Sequence, residues 1–144
     1  MNSTLKLIRG IQEPNTFFVE SNYGMLLFDN GAATTQLPIS KKTEALTTQG
    51  TYESHGIFGT KKQDKTVVER LCVGDIVAEK IPVRLDDTIG LLGSDILKNY
   101  AYTFDITNLE VKFIEPFISD IQCKVGKKNH FYIPIEICGE NKAI

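Results

Sequence analysis

Cysteine and histidine are scarce in this 144-residue chain, which has only Cys72, Cys123, Cys138, His55 and His130. An odd cysteine count with no Cys-x-x-Cys spacing is a poor disulfide framework and fits a reducing compartment, cytoplasmic by default. Cys123, His130 and Cys138 match no common zinc spacing, so two buried thiols and a surface histidine are expected there and no metal. Charge of one sign is also missing: 16 Lys and Arg stand against 18 Asp and Glu, a net −2. That leaves no basic excess for a nucleic-acid backbone, and the lysine pairs at 41–42, 61–62 and 127–128 read as solvated loops. No apolar run approaches the ~18 residues of a membrane span. The first residues lack the apolar block, about 7–15 residues long, of a signal peptide. Nucleic acid, membrane and encoded export are therefore not expected.

What remains is a globular composition, 42% apolar and 24% charged, at a length that suits one domain. A chain of this size buries roughly 68–70% of its unfolded surface, so it can build its own core. Short apolar segments alternate with turn residues, which predicts an all-β domain. Candidate strands lie at 5–9, 16–20, 25–28, 66–73, 76–84, 101–105 and 110–114. Gly74-Asp75 breaks one pair as a hairpin would, and Asp105-Ile106-Thr107-Asn108 another. Helical signal is thin. One or two turns from 94 to 100, capped by Ser94, and a short turn at 41–46 are expected. Residues 50–65, with Gly50, Gly56 and Gly59, read as a mobile hairpin or loop.

Two segments carry chemistry. In Met25-Leu26-Leu27-Phe28-Asp29-Asn30-Gly31-Ala32 an apolar strand runs straight into an acid and a glycine turn. Asn-Gly is a strong hairpin signal, so Asp29 is either a turn residue or a carboxylate that a buried strand delivers onto a constrained loop. In Leu91-Leu92-Gly93-Ser94-Asp95-Ile96-Leu97, glycine next to an apolar pair allows another backbone to approach closely. The plainer reading there is a core strand before a helix.

Together these motifs resemble the retropepsin-like aspartic proteases, over roughly residues 15–114. Leu27-Phe28-Asp29-Asn30-Gly31-Ala32 is similar to their Asp-Thr/Ser-Gly-Ala motif except at Asn30. Leu91-Leu92-Gly93 and the short helix after it are similar to their second motif. The resemblance implies a closed β-barrel with one short helix after the Leu-Leu-Gly strand. It implies Asp29 as the catalytic carboxylate, an active-site loop of Asn30, Gly31 and Ala32, and support from Leu91, Leu92 and Gly93. It also implies a flap of His55, Gly56, Ile57, Phe58 and Gly59 that closes over an extended peptide or protein substrate. Two carboxylates around one water would hydrolyse the peptide bond, best at acidic pH, with no cofactor and no role for His55.

One Asp-x-Gly motif supplies half of such a dyad. Asp105 and the Asp86-Asp87 pair sit in turn-like contexts and are not assigned as the other half. The second carboxylate is expected from a homodimer or a second lobe. Residues 1–129 then form the retropepsin-like domain. Residues 130–144 form a C-terminal strand, either a dimer interface or the start of a second lobe. At Asn30 the family has Thr or Ser, which bonds across the interface; Asn has no hydroxyl and no β-branch. That feature admits a rival, a module that dimerises or binds extended peptides without cleaving them. A third reading is an unrelated β-domain whose Asp29-Asn30-Gly31 is a turn.

Overall fold

The computed structural model describes residues 3–56, 59–114, 124–126, 131–132, 134–137 and 140–143. The chain opens with β1 (Ser3–Lys6), β2 (Ile8–Arg9), β3 (Phe17–Ser21), β4 (Gly24–Phe28), β5 (Gln36–Pro38), α1 (Lys41–Glu44) and β6 (Thr51–Gly56). It continues with β7 (Gly59–Val73), β8 (Ile76–Asp86), β9 (Gly90–Leu92), α2 (Ser94–Leu97), β10 (Ala101–Asp105) and β11 (Glu110–Ile114). Four short strands follow: β12 (Lys124–Val125), β13 (Phe131–Tyr132), β14 (Pro134–Ile137) and β15 (Glu140–Ala143). The protein is mostly β.

An eight-stranded mixed sheet runs β2-β3-β4-β9-β5-β8-β7-β6, and a three-stranded antiparallel sheet runs β1-β11-β10. Both contribute to one apolar core, with Val19, Leu26, Leu37, Leu71 and Leu92 from the larger sheet and Leu5, Val111 and Phe113 from the smaller. The expected first strand divides at Leu7 because the chain changes sheets there. Leu7 is buried and its N–H donates to the Leu109 carbonyl at 2.8 Å, while β1 pairs with β11 and β2 with β3.

The unbroken apolar run of β4 has a physical cause. β4 and β9 pair in parallel, Leu26 opposite Gly90 and Phe28 opposite Leu92, in the middle of the sheet. Leu26 is buried in the core, while Met25 and Leu27, on the opposite face, line an open apolar groove, so both faces of the strand carry apolar side chains. Gly90 is required at this crossing. A Cβ there would lie 2.5 Å from Leu26 Cδ2 and 3.0 Å from the Met25 carbonyl oxygen.

One expectation is corrected. Gly93, not Ser94, caps α2, and no side chain bonds the cap; the buried Ser94 instead donates its N–H to the Ala32 carbonyl at 2.8 Å. Of the two readings of residues 50–65, the hairpin is the one present. β6 and β7 form a paired hairpin from Thr51–Asp64 to Gly56–Gly59, built on polar residues whose strand character lies in the backbone ladder. In the segment after residue 130, Phe131–Tyr132 pairs with β12 and Pro134–Ile137 with β15. The strands at 101–105 and 110–114 lie as expected, joined by a turn in which Asp105 Oδ1 accepts the Asn108 N–H at 3.0 Å. The helical turn at Lys41 is present too, held by a Ser40–Thr43 capping box.

Candidate active site

β4 ends at Phe28, and Asp29 continues its ladder by one rung. The Asp29 N–H donates to the Leu92 carbonyl at 3.0 Å. The chain then turns within three residues. Asp29 Oδ1 accepts the Gly31 N–H at 3.0 Å, an Asx-turn, and the Asp29 carbonyl accepts the Ala32 N–H at 3.2 Å. Gly31 leaves little room for a side chain, since a Cβ would meet Asp29 Oδ1 at 3.2 Å.

The far side of the loop is locked to the second motif. Gly93 lies so close that a Cβ on it would sit 2.8 Å from the Ala32 carbonyl oxygen and 2.9 Å from the Thr34 carbonyl carbon. Its N–H donates to Thr35 Oγ1 at 3.1 Å. The Thr35 hydroxyl donates in turn to Asp95 Oδ1 at 2.7 Å, and the Thr35 N–H to Asp95 Oδ2 at 3.0 Å. The fully buried Thr35 and the carboxylate of Asp95 were not singled out from the sequence. Asp95 stands in the first turn of α2, where an acid is unremarkable, and its partner is 60 residues away.

This bracing leaves the Asp29 side chain half-buried, at the head of a fixed loop. Leu27, two residues earlier on β4, lines a groove of about 650 Å³ together with Ile8, Ile11, Phe18, Met25 and Ile89. The groove is apolar and open: Met25 is 38% exposed and Ile11 99%. Exposed apolar side chains gathered in one concavity mark a binding surface.

Asn30 is exposed and turns toward its own chain. Its Nδ2 donates to the Tyr102 hydroxyl at 3.4 Å, a long bond, and Tyr102 packs edge-on against Phe28 at 5.4 Å between centroids. His55 is exposed on β6 opposite Thr60, with Nδ1 3.2 Å from Thr60 Oγ1. It belongs to the hairpin ladder. Gly56 and Gly59 form the last described pair of that hairpin, and Ile57 and Phe58 lie outside the described residues. Cys123, His130 and Cys138 also lie outside them.

The other acids considered from the sequence are held elsewhere. Asp105 caps its turn, its carboxylate kept below the usual range by the Asn108 side chain and N–H and by Lys112. Asp86 is buried. Burial would push its carboxyl up, but the Lys61 ammonium, the Thr88 hydroxyl and the Thr88 and Ile89 N–H groups outweigh it and hold it well below the carboxylate range. The sequence marked Asp86 only as a turn acid and Lys61 only as a solvated lysine, because their contact with each other is long-range.

No family model matches this chain, and no curated protein matches it. Among solved structures it is similar to a retropepsin-like aspartic protease from Rickettsia conorii, with a TM-score of 0.50 and 14% sequence identity. The similarity covers 78% of this chain and 91% of that one. Likeness at that identity is likeness of fold, and the fold is retropepsin-like.

Proposed function

We propose that the chain is an aspartic endopeptidase subunit or lobe, in which Asp29 is one carboxylate of a dyad completed by a second copy or a second lobe. The observation that carries this reading is the bracing of the Asp29 loop. Backbone bonds to Leu92 and between Ala32 and Ser94 fix it, while the carboxylate stays accessible. A mere hairpin turn would need no such cross-bracing from a strand more than 60 residues away.

Two carboxylates ~3 Å apart repel by about 5 kcal/mol at an effective dielectric of 20. That is several pKa units, so one keeps a proton while the other is ionised. The ionised group takes a proton from water as the oxygen attacks the scissile carbonyl, and the protonated one polarises the carbonyl oxygen. The tetrahedral intermediate collapses as the leaving amine is protonated, with no covalent adduct to the protein. The groove beside Leu27 supports an extended peptide with apolar side chains as substrate. The β6–β7 hairpin supports closure and strand-like backbone bonding to that peptide.

The test is cleavage of an unfolded protein at acidic pH, with the rate per subunit followed against protein concentration. Asp29→Ala abolishes hydrolysis and His55→Ala changes it modestly. Hydrolysis that survives Asp29→Ala overturns the mechanism. The bond from Asn30 to its own Tyr102 favours a second reading, a peptide-binding module that does not cleave. Peptide binding that raises the melting temperature, without cleavage at any concentration, identifies that module.

A further inference from the structure

A second set of buried polar side chains joins three elements away from Asp29: Gln36 on β5, Gln63 on β7 and Asp86 at the end of β8, all at or below 5% exposure. Gln63 Nε2 donates to Gln36 Oε1 at 2.7 Å and to Asp86 Oδ1 at 3.1 Å. Gln36 Nε2 donates to the Ile89 carbonyl at 2.7 Å, and the Ile89 N–H donates back to Asp86 Oδ2 at 3.1 Å. The ring is closed. Asp86 Oδ2 also accepts the Thr88 N–H at 3.0 Å and the Thr88 hydroxyl, so the same carboxylate builds the turn that leads into β9.

The hairpin is fastened to this ring from outside. Along β7, residues 59–62 are exposed, and Gln63 is the first to be buried. Gln63 therefore marks where the hairpin leaves the body of the protein. Two residues further out, Lys61 Nζ donates to Asp86 Oδ1 at 2.6 Å and to Asp87 Oδ1 at 2.8 Å. Arg84 makes the inner connection. Its guanidinium lies 4.8 Å from the Tyr52 ring on β6, with Nη1 donating to Gln63 Oε1 at 3.4 Å and Nη2 to the Thr34 carbonyl at 3.2 Å. The hairpin is thus joined both to β9, whose Leu92 holds Asp29, and to the loop that follows Asp29.

We propose that Gln63 and Asp86 form the hinge of the β6–β7 hairpin and that Lys61 is its latch, positioning residues that set the hairpin against the segments holding Asp29. The asymmetry between the partners carries the inference. A buried polar ring contributes less to stability than an apolar cluster of the same volume, but it defines one geometry. Lys61 is half-exposed while its Asp86 partner is 4% exposed, so the lysine can leave for water and the aspartate cannot. Release therefore frees the outer hairpin and leaves the ring closed. Its meaning for catalysis rests on the protease reading above; the latch itself does not.

The test is amide hydrogen exchange on the full chain at neutral pH. In Lys61→Met, which keeps the stem and removes the charge, amides of residues 51–56 and 59–62 are expected to exchange about tenfold faster, the equivalent of one charged hydrogen bond. Amides of residues 26–28 and 90–92 should be unchanged, and Lys61→Arg should return the hairpin to within about threefold of the parent. Hairpin exchange within twofold of the parent in Lys61→Met overturns the latch. Equal acceleration in β4 and β9 overturns it too, because that reports global destabilisation. The readout needs no proteolysis, so an inactive protein with a loosened hairpin rejects the protease and keeps the latch.

Discussion

Asp29 and Asp86 each follow or end a strand of the larger sheet, and each heads a tight turn, yet they are held in opposite ways. At Asp29 the backbone does the holding. Its N–H bonds Leu92, its carbonyl bonds Ala32, and the described bond to its carboxylate is the local one from Gly31. At Asp86 the side chain does the holding, with Lys61, Gln63, Thr88 and Ile89 converging on its two oxygens. A carboxylate that is saturated with donors and buried is a structural part. One that is positioned by its backbone and left half-exposed retains oxygens for chemistry. The contrast separates two acids that look alike as letters.

The largest expected effect breaks this contrast directly. Asp86→Ala strips the acceptor from the Gln63 amide and from two turn N–H groups, and should lower unfolding free energy by about 3 kcal/mol. Asp29→Ala removes one bond from an exposed glycine N–H, and should change stability by no more than about 0.5 kcal/mol. Urea denaturation of the two variants measures both. Equal losses would mean that Asp29 is as structural as Asp86, and the functional reading of its loop would fail.

Acid sharpens the same comparison. The folded-state pKa of Asp86 lies below its ordinary value of 3.8, so its contribution is fully present above about pH 5. It is lost as pH falls through 4 toward the depressed value. The urea midpoint should hold down to about pH 4 and fall below it, and Asp86→Asn should flatten that fall while lowering the midpoint at pH 7. An Asp86→Asn variant as steeply acid-labile as the parent would remove Asp86 from that account.

Much of this was legible in the sequence, and the division follows contact range. The Asp29 motif is contiguous, and the apolar run before it was legible as a strand leading into the acid. Gly90 and Gly93 announce close approach because a Cβ at either would collide. The Gly74-Asp75 hairpin needs nothing beyond its own residues. By contrast, β5 has three residues ending in Pro38, too short for a period, and it exists because it fits between β9 and β8. Gln36, Gln63 and Asp86 were invisible as a group because they meet across 23 and 27 residues. As isolated letters in polar stretches they read as surface. The hairpin was legible from its glycines, but its exposed polar residues carry no alternation and left the strand limits open.

The smallest expected effect concerns Asn30, the one departure in the Asp29 loop. Its bond to the Tyr102 hydroxyl is 3.4 Å long, and the residue is exposed, so it contributes little to folding. Tyr102→Phe keeps the edge-on packing against Phe28 and removes the hydroxyl. Its stability should stay within about 0.5 kcal/mol of the parent. Asn30→Thr should be equally mild in folding, but it supplies the hydroxyl and β-branch that the resemblance leads one to expect. If the dyad forms between two copies, that hydroxyl strengthens their contact. Association in light scattering should then shift to lower concentration by severalfold, with hydrolysis per subunit rising in step. If Asn30→Thr cleaves peptide and the parent does not, the parent is the non-cleaving module, disabled at this position. If association and hydrolysis are both unmoved, the side chain at position 30 takes no part in joining two halves. Its bond to Tyr102 then fastens only its own loop.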